Sequence, residues 1–138
     1  MFKVIFLLKR KPGITAEQFR EHYERSHVKM AQKYLGHLLI GYVRNYVGEA
    51  RAARSQGQRP LEFDYDCLTE WTLASEEALE EVYRIFAIPE IGKEFYDDEA
   101  NFLDRDAVVS IRCRDGDVVN TGTGGGHGTL ERHARASA

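Results

Sequence analysis

Two histidines lie five residues apart in the segment FREHYERSHVKMA, residues 19–31, whose apolar spacing is typical of an amphipathic helix. Such a pair could bind a metal ion or take part in proton transfer, because imidazole is both a metal ligand and a base near neutral pH. In a regular α-helix, however, His22 and His27 point about 140° apart, so they cannot bind one ion together. The spacing excludes a metal pair and favours one functional histidine with one bystander.

The apolar face of the same helix separates the two histidines. His27 falls at the edge of this face, whereas His22 points towards solvent, and His37 follows the helix in a loop or capping position. Two interpretations of His27 remain open. It is either a half-buried histidine that packs and finds a carbonyl partner, or an acid/base group at the rim of a cavity. The apolar face consists of Phe19, Tyr23, Met30 and Tyr34.

Acidic residues at 66 and 70 share one side of an otherwise apolar predicted strand. Asp66 and Glu70 alternate with Cys67 and Trp71, so the acids and the large apolar groups face opposite sides. The acids either lie near a sheet edge and reach water, or lie in a cavity where burial would raise their pKa values. Cys67 is expected to be an inert buried thiol, and Trp71 a core residue.

The elements that would position these residues follow the order β-α-β-β-α-β. This order predicts the ferredoxin-like α+β fold, a four-stranded antiparallel sheet with two helices on one face. We expect one domain over residues 1–114 and a flexible, glycine-rich tail over residues 115–138. The predicted strands are residues 2–10, 38–47, 63–73 and 107–113; the helices run from about 15 to 36 and from 75 to 88; residues 48–60 form an exposed loop, and residues 90–104 a short, less regular helical stretch.

The first strand is apolar on both sides. Val4, Phe6 and Leu8 alternate with Ile5 and Leu7, although helices can cover only one face of the sheet. The second face therefore requires a partner. We expect a homodimer packed sheet to sheet, which closes a dimeric α+β barrel.

Composition excludes several other classes of protein. The net charge of −3 is small, so we expect neither a nucleic acid nor a membrane as partner. Two cysteines without a Cys-x-x-Cys pair indicate neither a zinc site nor a disulfide framework, which is typical of a cytoplasmic protein. The run GTGGGHG in the tail lacks the strand, helix and lysine of a phosphate-binding loop.

The sequence resembles the EthD family, a branch of the dimeric α+β barrel superfamily. The resemblance rests on LLKRKPGITAEQFREHYERSHVKMA, GYVRNYV, DCLTEWTLASEEAL and DDEANFLD, and it spans roughly residues 2–113. It implies a ferredoxin-like homodimer with a pocket beside the sheet. The histidine of the family's helical motif matches His27, the acidic position of the third strand matches Glu70, and the acidic pair before the last strand matches Asp98 and Glu99.

The resemblance leaves three classes of function open. The first is a cofactor-free enzyme of dehydration, cyclisation or isomerisation that acts on a small oxygenated hydrophobic compound, such as a polyketide or aromatic compound. The second is a non-catalytic binding or accessory protein of an oxidative degradation pathway of the ethyl tert-butyl ether type, and the third is a small oxidoreductase. An apolar pocket with very few polar groups would favour binding, and a histidine that faces the cavity and is hydrogen-bonded to an acid would favour catalysis. The candidate catalytic residues are His27 and Glu70, with Asp66, Trp71, Tyr42 and Tyr23 as candidate substrate contacts; no cofactor and no metal are expected.

Overall fold

The computed structural model describes residues 1–54 and 57–114 of the 138-residue chain. The predicted tail over residues 115–138, with its GTGGGHG run, lies outside the described residues. Within them, no helix combines the length and the apolarity needed to cross a membrane.

Six strands and four α-helices make up the described part of the fold. The strands are β1 (Phe2–Leu8), β2 (Leu39–Tyr46), β3 (Ala50–Arg51), β4 (Pro60–Leu61), β5 (Cys67–Leu73) and β6 (Val109–Cys113). The helices are α1 (Ala16–His22), α2 (Val28–Leu35), α3 (Glu76–Phe86) and α4 (Pro89–Glu99), with a π-helical segment at Tyr23–His27 and a 3-10 turn at Arg105–Ala107. The main sheet has the antiparallel order β2-β5-β1-β6, which confirms the predicted α+β, ferredoxin-like arrangement.

Helices α1 and α2 form one long helix because the π-helical segment joins them without a break. The long helix begins at the capping box predicted from the sequence. The Thr15 side chain accepts a hydrogen bond from the Gln18 amide at 3.0 Å, and the Gln18 side chain accepts one from the Thr15 amide at 2.8 Å. These bonds satisfy two amides that the first helical turn leaves unpaired.

The helices cover the sheet face that carries the core. Along β5, Cys67, Thr69, Trp71 and Leu73 are buried, while the residues between them are half-buried. In β1, Val4 and Leu8 are buried on the same side. Val4 packs in a core cluster with residues of α2, α3 and α4, and Leu8 packs in a second cluster with residues of the long helix. The strict alternation puts Ile5, Leu7 and Glu70 on the opposite face, which no helix of the described residues covers.

Three segments differ from the sequence-based prediction. The strand predicted over residues 63–73 begins only at Cys67. Residues 48–60 were expected to be an exposed loop, but Ala50 and Arg51 pair with Leu61 and Pro60 in a short second sheet. The stretch after Pro89 is a regular helix of 11 residues rather than an irregular one. Its proline occupies the first helical turn, where a missing amide hydrogen costs nothing.

Candidate functional site

A cavity of about 310 Å³ opens between the helix-covered face of the sheet and the surrounding helices. Strands β1, β2 and β5 supply one wall, and the long helix, α3 and α4 supply the other. Nearly half of the residues in the wall are aromatic, including Phe6, Tyr42, Trp71, Phe86 and Phe95. Such a wall suits a small apolar or aromatic molecule, because aromatic side chains give large contact areas at low entropic cost.

His27 lies in this wall, with its imidazole side chain 14% exposed. Its Nδ1 atom lies 2.9 Å from Oδ2 of Asp98, on α4. The rings of Phe95, Phe102 and Tyr23 surround the imidazole with centroids 5.1 to 5.7 Å away. The hydrogen bond and the three rings together fix the orientation of the imidazole.

Asp98 accepts three hydrogen bonds from the long helix. Besides His27, Ser26 donates its hydroxyl to Oδ1 at 2.6 Å, and His22 places Nε2 at 2.9 Å from the same oxygen. Burial raises the pKa of Asp98, but the hydrogen bonds from His27, Ser26 and His22 outweigh burial and lower this pKa to about 2. The carboxylate is therefore ionised at neutral pH.

An ionised carboxylate can only accept hydrogen bonds, so it fixes the tautomer of His27. Nδ1 must carry a proton, and in the neutral ring Nε2 then holds the lone pair of a base. Within the described residues Nε2 has no hydrogen-bond partner. The negative charge of Asp98 lies directly behind the imidazole, as in other acid–histidine pairs.

The position of His22 corrects the expectation that it points into solvent. Its side chain is only 29% exposed, and its ring lies 5.0 Å from that of Phe102. The π-helical segment is the cause, since the amide of Val28 bonds the carbonyl of Tyr23, five residues back. A π turn takes one residue more than an α turn, so it brings His22 and His27 to the same side of the helix.

Tyr23 and Tyr42 both line the cavity, as expected of substrate contacts. The Tyr23 hydroxyl lies 2.9 Å from the hydroxyl of Tyr42 and 2.8 Å from that of Thr69. Burial raises the pKa values of both tyrosines well above their usual range, so neither ionises at neutral pH. The pair forms a neutral, fixed part of the wall.

Trp71 also lines the cavity, and it is 8% exposed. Its indole nitrogen is the one fully buried side-chain polar atom without a hydrogen-bond partner among the described residues. Its ring packs edge-on against Phe6, with centroids 4.7 Å apart. The sequence-based expectation of a core position and the expectation of a substrate-contacting position are therefore compatible.

The structure does not bring Asp66 and Glu70 together with His27. Neither Glu70, the second candidate catalytic residue, nor Asp66, a candidate substrate contact, lines the cavity. Glu70 lies on the uncovered face of the sheet, 3.3 Å from Lys3, and its carboxylate also accepts a hydrogen bond from Asn45. Asp66 accepts the amide of Arg10 at 2.8 Å and holds the turn after β1. Alternation along β5 separates Glu70 from the Trp71 side, which faces the cavity, and Asp66 lies just before the strand begins.

Glu99 and Arg105 are the further charged residues of the cavity wall. Burial raises the pKa of Glu99, although the positive fields of His27 and Arg105 oppose the increase. Arg105 stacks on the ring of Tyr96 at 3.7 Å and donates to its carbonyl at 2.9 Å. The sequence resemblance matched Asp98 and Glu99 to an acidic pair without giving either a role; that pairing was the available signal for both.

No group of three or more histidine, cysteine or acidic side chains within residues 1–54 and 57–114 is arranged to hold a metal ion. The cavity wall instead places His27, which Asp98 orients, beside the carboxyl-bearing Glu99 of the same wall.

Comparisons with known proteins agree with this architecture. The family model of the EthD domain matches residues 11–106. No curated protein matches the sequence.

Solved structures share the fold at low identity. An ethyl tert-butyl ether D (EthD) family protein from Bacillus halodurans is 16% identical with a TM-score of 0.56, and the match covers 84% of this chain and 100% of that one. An EthD-like protein from Ralstonia eutropha is 20% identical with a TM-score of 0.54, covering 88% and 95%. A protein from Arabidopsis thaliana is 19% identical with a TM-score of 0.54, covering 87% and 100%.

Proposed function

The chain belongs to the EthD family, and on that premise we propose that it is an acid/base enzyme for a small, oxygenated, largely apolar compound. The reaction is a dehydration, cyclisation or isomerisation in which His27 moves a proton to or from the substrate. The observation that carries the proposal is the hydrogen bond between His27 and the ionised Asp98 at the wall of an aromatic cavity.

This arrangement supplies what proton transfer at carbon requires. The apolar wall excludes water from a bound substrate, while Nε2 of His27 remains free to act as the base. Asp98 holds the imidazole in the required tautomer and stabilises its charged form. The buried carboxylate also joins α4 to the long helix, but its bond to Nδ1 leaves the Nε2 lone pair of His27 free for a bound molecule, which supports catalysis over binding alone.

We further propose that the active form is a homodimer joined through the uncovered sheet faces. That face exposes Val43 (49%), Val109 (37%) and Ile111 (42%), beside the half-buried Ile5 and Leu7. A second copy would present the same apolar strands about a two-fold axis, so the face is complementary to itself. The cavity lies on the other side of the sheet, and both sites of the dimer would stay open.

The enzymatic proposal can be tested with 1-tetralone, a bicyclic aromatic ketone, as a probe. General-base catalysis exchanges the protons next to its carbonyl for deuterium in D2O, which proton NMR follows directly. We expect the protein to accelerate this exchange and His27→Asn to reduce the acceleration by roughly 100- to 10,000-fold. Asn keeps a donor for Asp98 but has no titratable nitrogen, and His37→Asn, at an exposed position, is the matched control.

Three results would contradict the proposal in different ways. Saturable binding of 1-tetralone without deuterium exchange would indicate that the protein binds a ligand and does not catalyse proton transfer. Exchange that survives in folded His27→Asn would move the base elsewhere in the cavity. Absence of binding would exclude small aromatic ketones as the ligand class.

A further inference from the structure

The cavity holds a second carboxyl group that the Asp98–His27 pair does not use. Glu99 follows Asp98 directly on α4, and successive residues of a helix point about 100° apart. Asp98 faces the long helix and its three hydrogen-bond donors, whereas Glu99 lines the cavity with His27. Adjacent acids of one helix are thereby placed in different environments.

The carboxyl group of Glu99, unlike that of Asp98, is unpaired among the described residues. Within the described residues its carboxyl group has no hydrogen bond and no ion pair. The indole nitrogen of Trp71 is the one fully buried side-chain polar atom there without a partner, so the unpaired oxygens of Glu99 keep accessible surface. A half-buried, unpaired carboxyl group in a mostly apolar cavity is available to a bound molecule.

The other polar groups of the cavity wall are poorly suited to give up a proton near neutral pH. Tyr23 and Tyr42 have raised pKa values, and their hydroxyls bond each other. Thr69 bonds Tyr23, and the guanidinium of Arg105 does not deprotonate in proteins. Tyr83 is the third phenol of the wall, and it lies at an exposed position. His27 and Glu99 are the imidazole and the carboxyl group of the wall, and burial raises the pKa of Glu99 towards the range in which a carboxyl group can donate a proton.

We propose that Glu99 is the second proton-transfer group of this cavity, acting as the general acid opposite His27 as the general base. The inference rests on the proposed function and extends it from one proton transfer to two. It assigns the cavity to substrates that lose an oxygen leaving group next to an acidic carbon–hydrogen bond, as β-hydroxy ketones do.

A β-hydroxy ketone would lose water through these two groups. Nε2 of His27 takes the proton from the carbon beside the carbonyl, and the electron pair of that bond becomes the new carbon–carbon double bond. The carbon–oxygen bond at the β position breaks, and the departing hydroxyl takes the carboxyl proton of Glu99 and leaves as water. The proton on His27 then returns to Glu99 through solvent, which restores both groups.

Two probes separate this role from the action of His27 alone. Deuterium exchange of 1-tetralone requires only a base, whereas dehydration of 3-hydroxy-1-tetralone to 1-naphthol requires a base and an acid. We expect Glu99→Gln to slow the dehydration by roughly 100-fold or more and to change the exchange by less than about 3-fold. Glu90→Gln, at an exposed position of the same helix, is the matched control and should change neither rate.

The two assays distinguish failure of the Glu99 proposal from failure of the proposed function itself. If the unmodified protein exchanges no deuterium into 1-tetralone, the base is absent and the proposed function fails first. If exchange proceeds but Glu99→Gln dehydrates 3-hydroxy-1-tetralone at the unmodified rate, or if the protein accelerates no dehydration at all, Glu99 is not the acid. Equal losses in both assays would assign Glu99 to binding or folding and would also overturn the proposal.

Discussion

His22 and His27 bond opposite oxygens of one carboxylate, although five residues separate them in the sequence. A regular α-helix would turn them about 140° apart, and the π-helical segment between them removes this difference. Short π-helical insertions occur frequently at functional sites. In this chain the insertion gives Asp98 a second imidazole partner.

Asp98→Asn tests the carboxylate as the support of the site. We expect deuterium exchange of 1-tetralone to slow by roughly 100-fold or more, because the neutral amide no longer selects the tautomer or stabilises the imidazolium. The free energy of unfolding should fall by about 2–4 kcal/mol, since three donors lose a buried charged acceptor. Urea denaturation and the exchange assay measure the two effects. Unchanged exchange in the folded variant would show that His27 works without Asp98.

The free energy of unfolding at low pH should depend on the protonation state of Asp98. The folded pKa of about 2 lies below the ordinary value of 3.8, so this contribution is fully present above about pH 4. It is lost as the pH falls through the window from about 4 to about 2. The difference in unfolding free energy between the unmodified protein and Asp98→Asn should therefore shrink across this window. A difference that stays constant there would mean that the carboxylate is not stabilised in the folded state.

His22→Ala tests whether His22 stabilises the Asp98 carboxylate without taking part in proton transfer. It removes one hydrogen bond to Asp98 and the contact with Phe102, so we expect a loss of about 1–2 kcal/mol in unfolding free energy. Exchange of 1-tetralone should fall less than about 10-fold, because Ser26 and His27 still hold the carboxylate. His37→Ala, at an exposed position, should change stability by less than about 0.5 kcal/mol. Equal effects of the two alanine variants would contradict a role for His22.

The homodimer can be tested with Ile111→Lys. Ile111 lies opposite Ile5 in the register of the uncovered face, so a charge there should prevent two copies from packing. Light scattering should change from twice the chain mass of 15.8 kDa to the chain mass itself. Ile88→Lys introduces the same charge at a similarly exposed isoleucine outside the sheet, 43% against 42%, and should leave the dimer intact. A monomeric unmodified protein would refute the proposal directly.

The fold could be predicted from local sequence patterns. The short apolar run from Val4 to Leu8 predicted a strand, and the Thr15–Gln18 capping box predicted where the first helix begins. Both signals depend on neighbours in the sequence, so they survive without knowledge of the tertiary structure. The β-α-β-β-α-β order then allows few arrangements of a four-stranded sheet.

Less of the candidate site could be predicted from the sequence, for two physical reasons. Asp98 lies 71 residues from His27, and local periodicity carries no information about a contact at that separation. The helical wheel of His22 assumed 100° per residue throughout, which the π-helical segment violates. For Glu70, alternation correctly separated it from Trp71 but did not say which side the helices cover.

The position of Trp71 has a spectroscopic consequence. It is the single tryptophan of the chain, and it lies in the cavity wall beside Phe6 and Tyr42. Indole emission responds to changes of polarity and to nearby quenchers, so a ligand that enters the cavity would alter the fluorescence of this one side chain. The protein thus contains its own unlabelled reporter of occupancy, and dissociation constants can be screened by titration before any turnover assay exists.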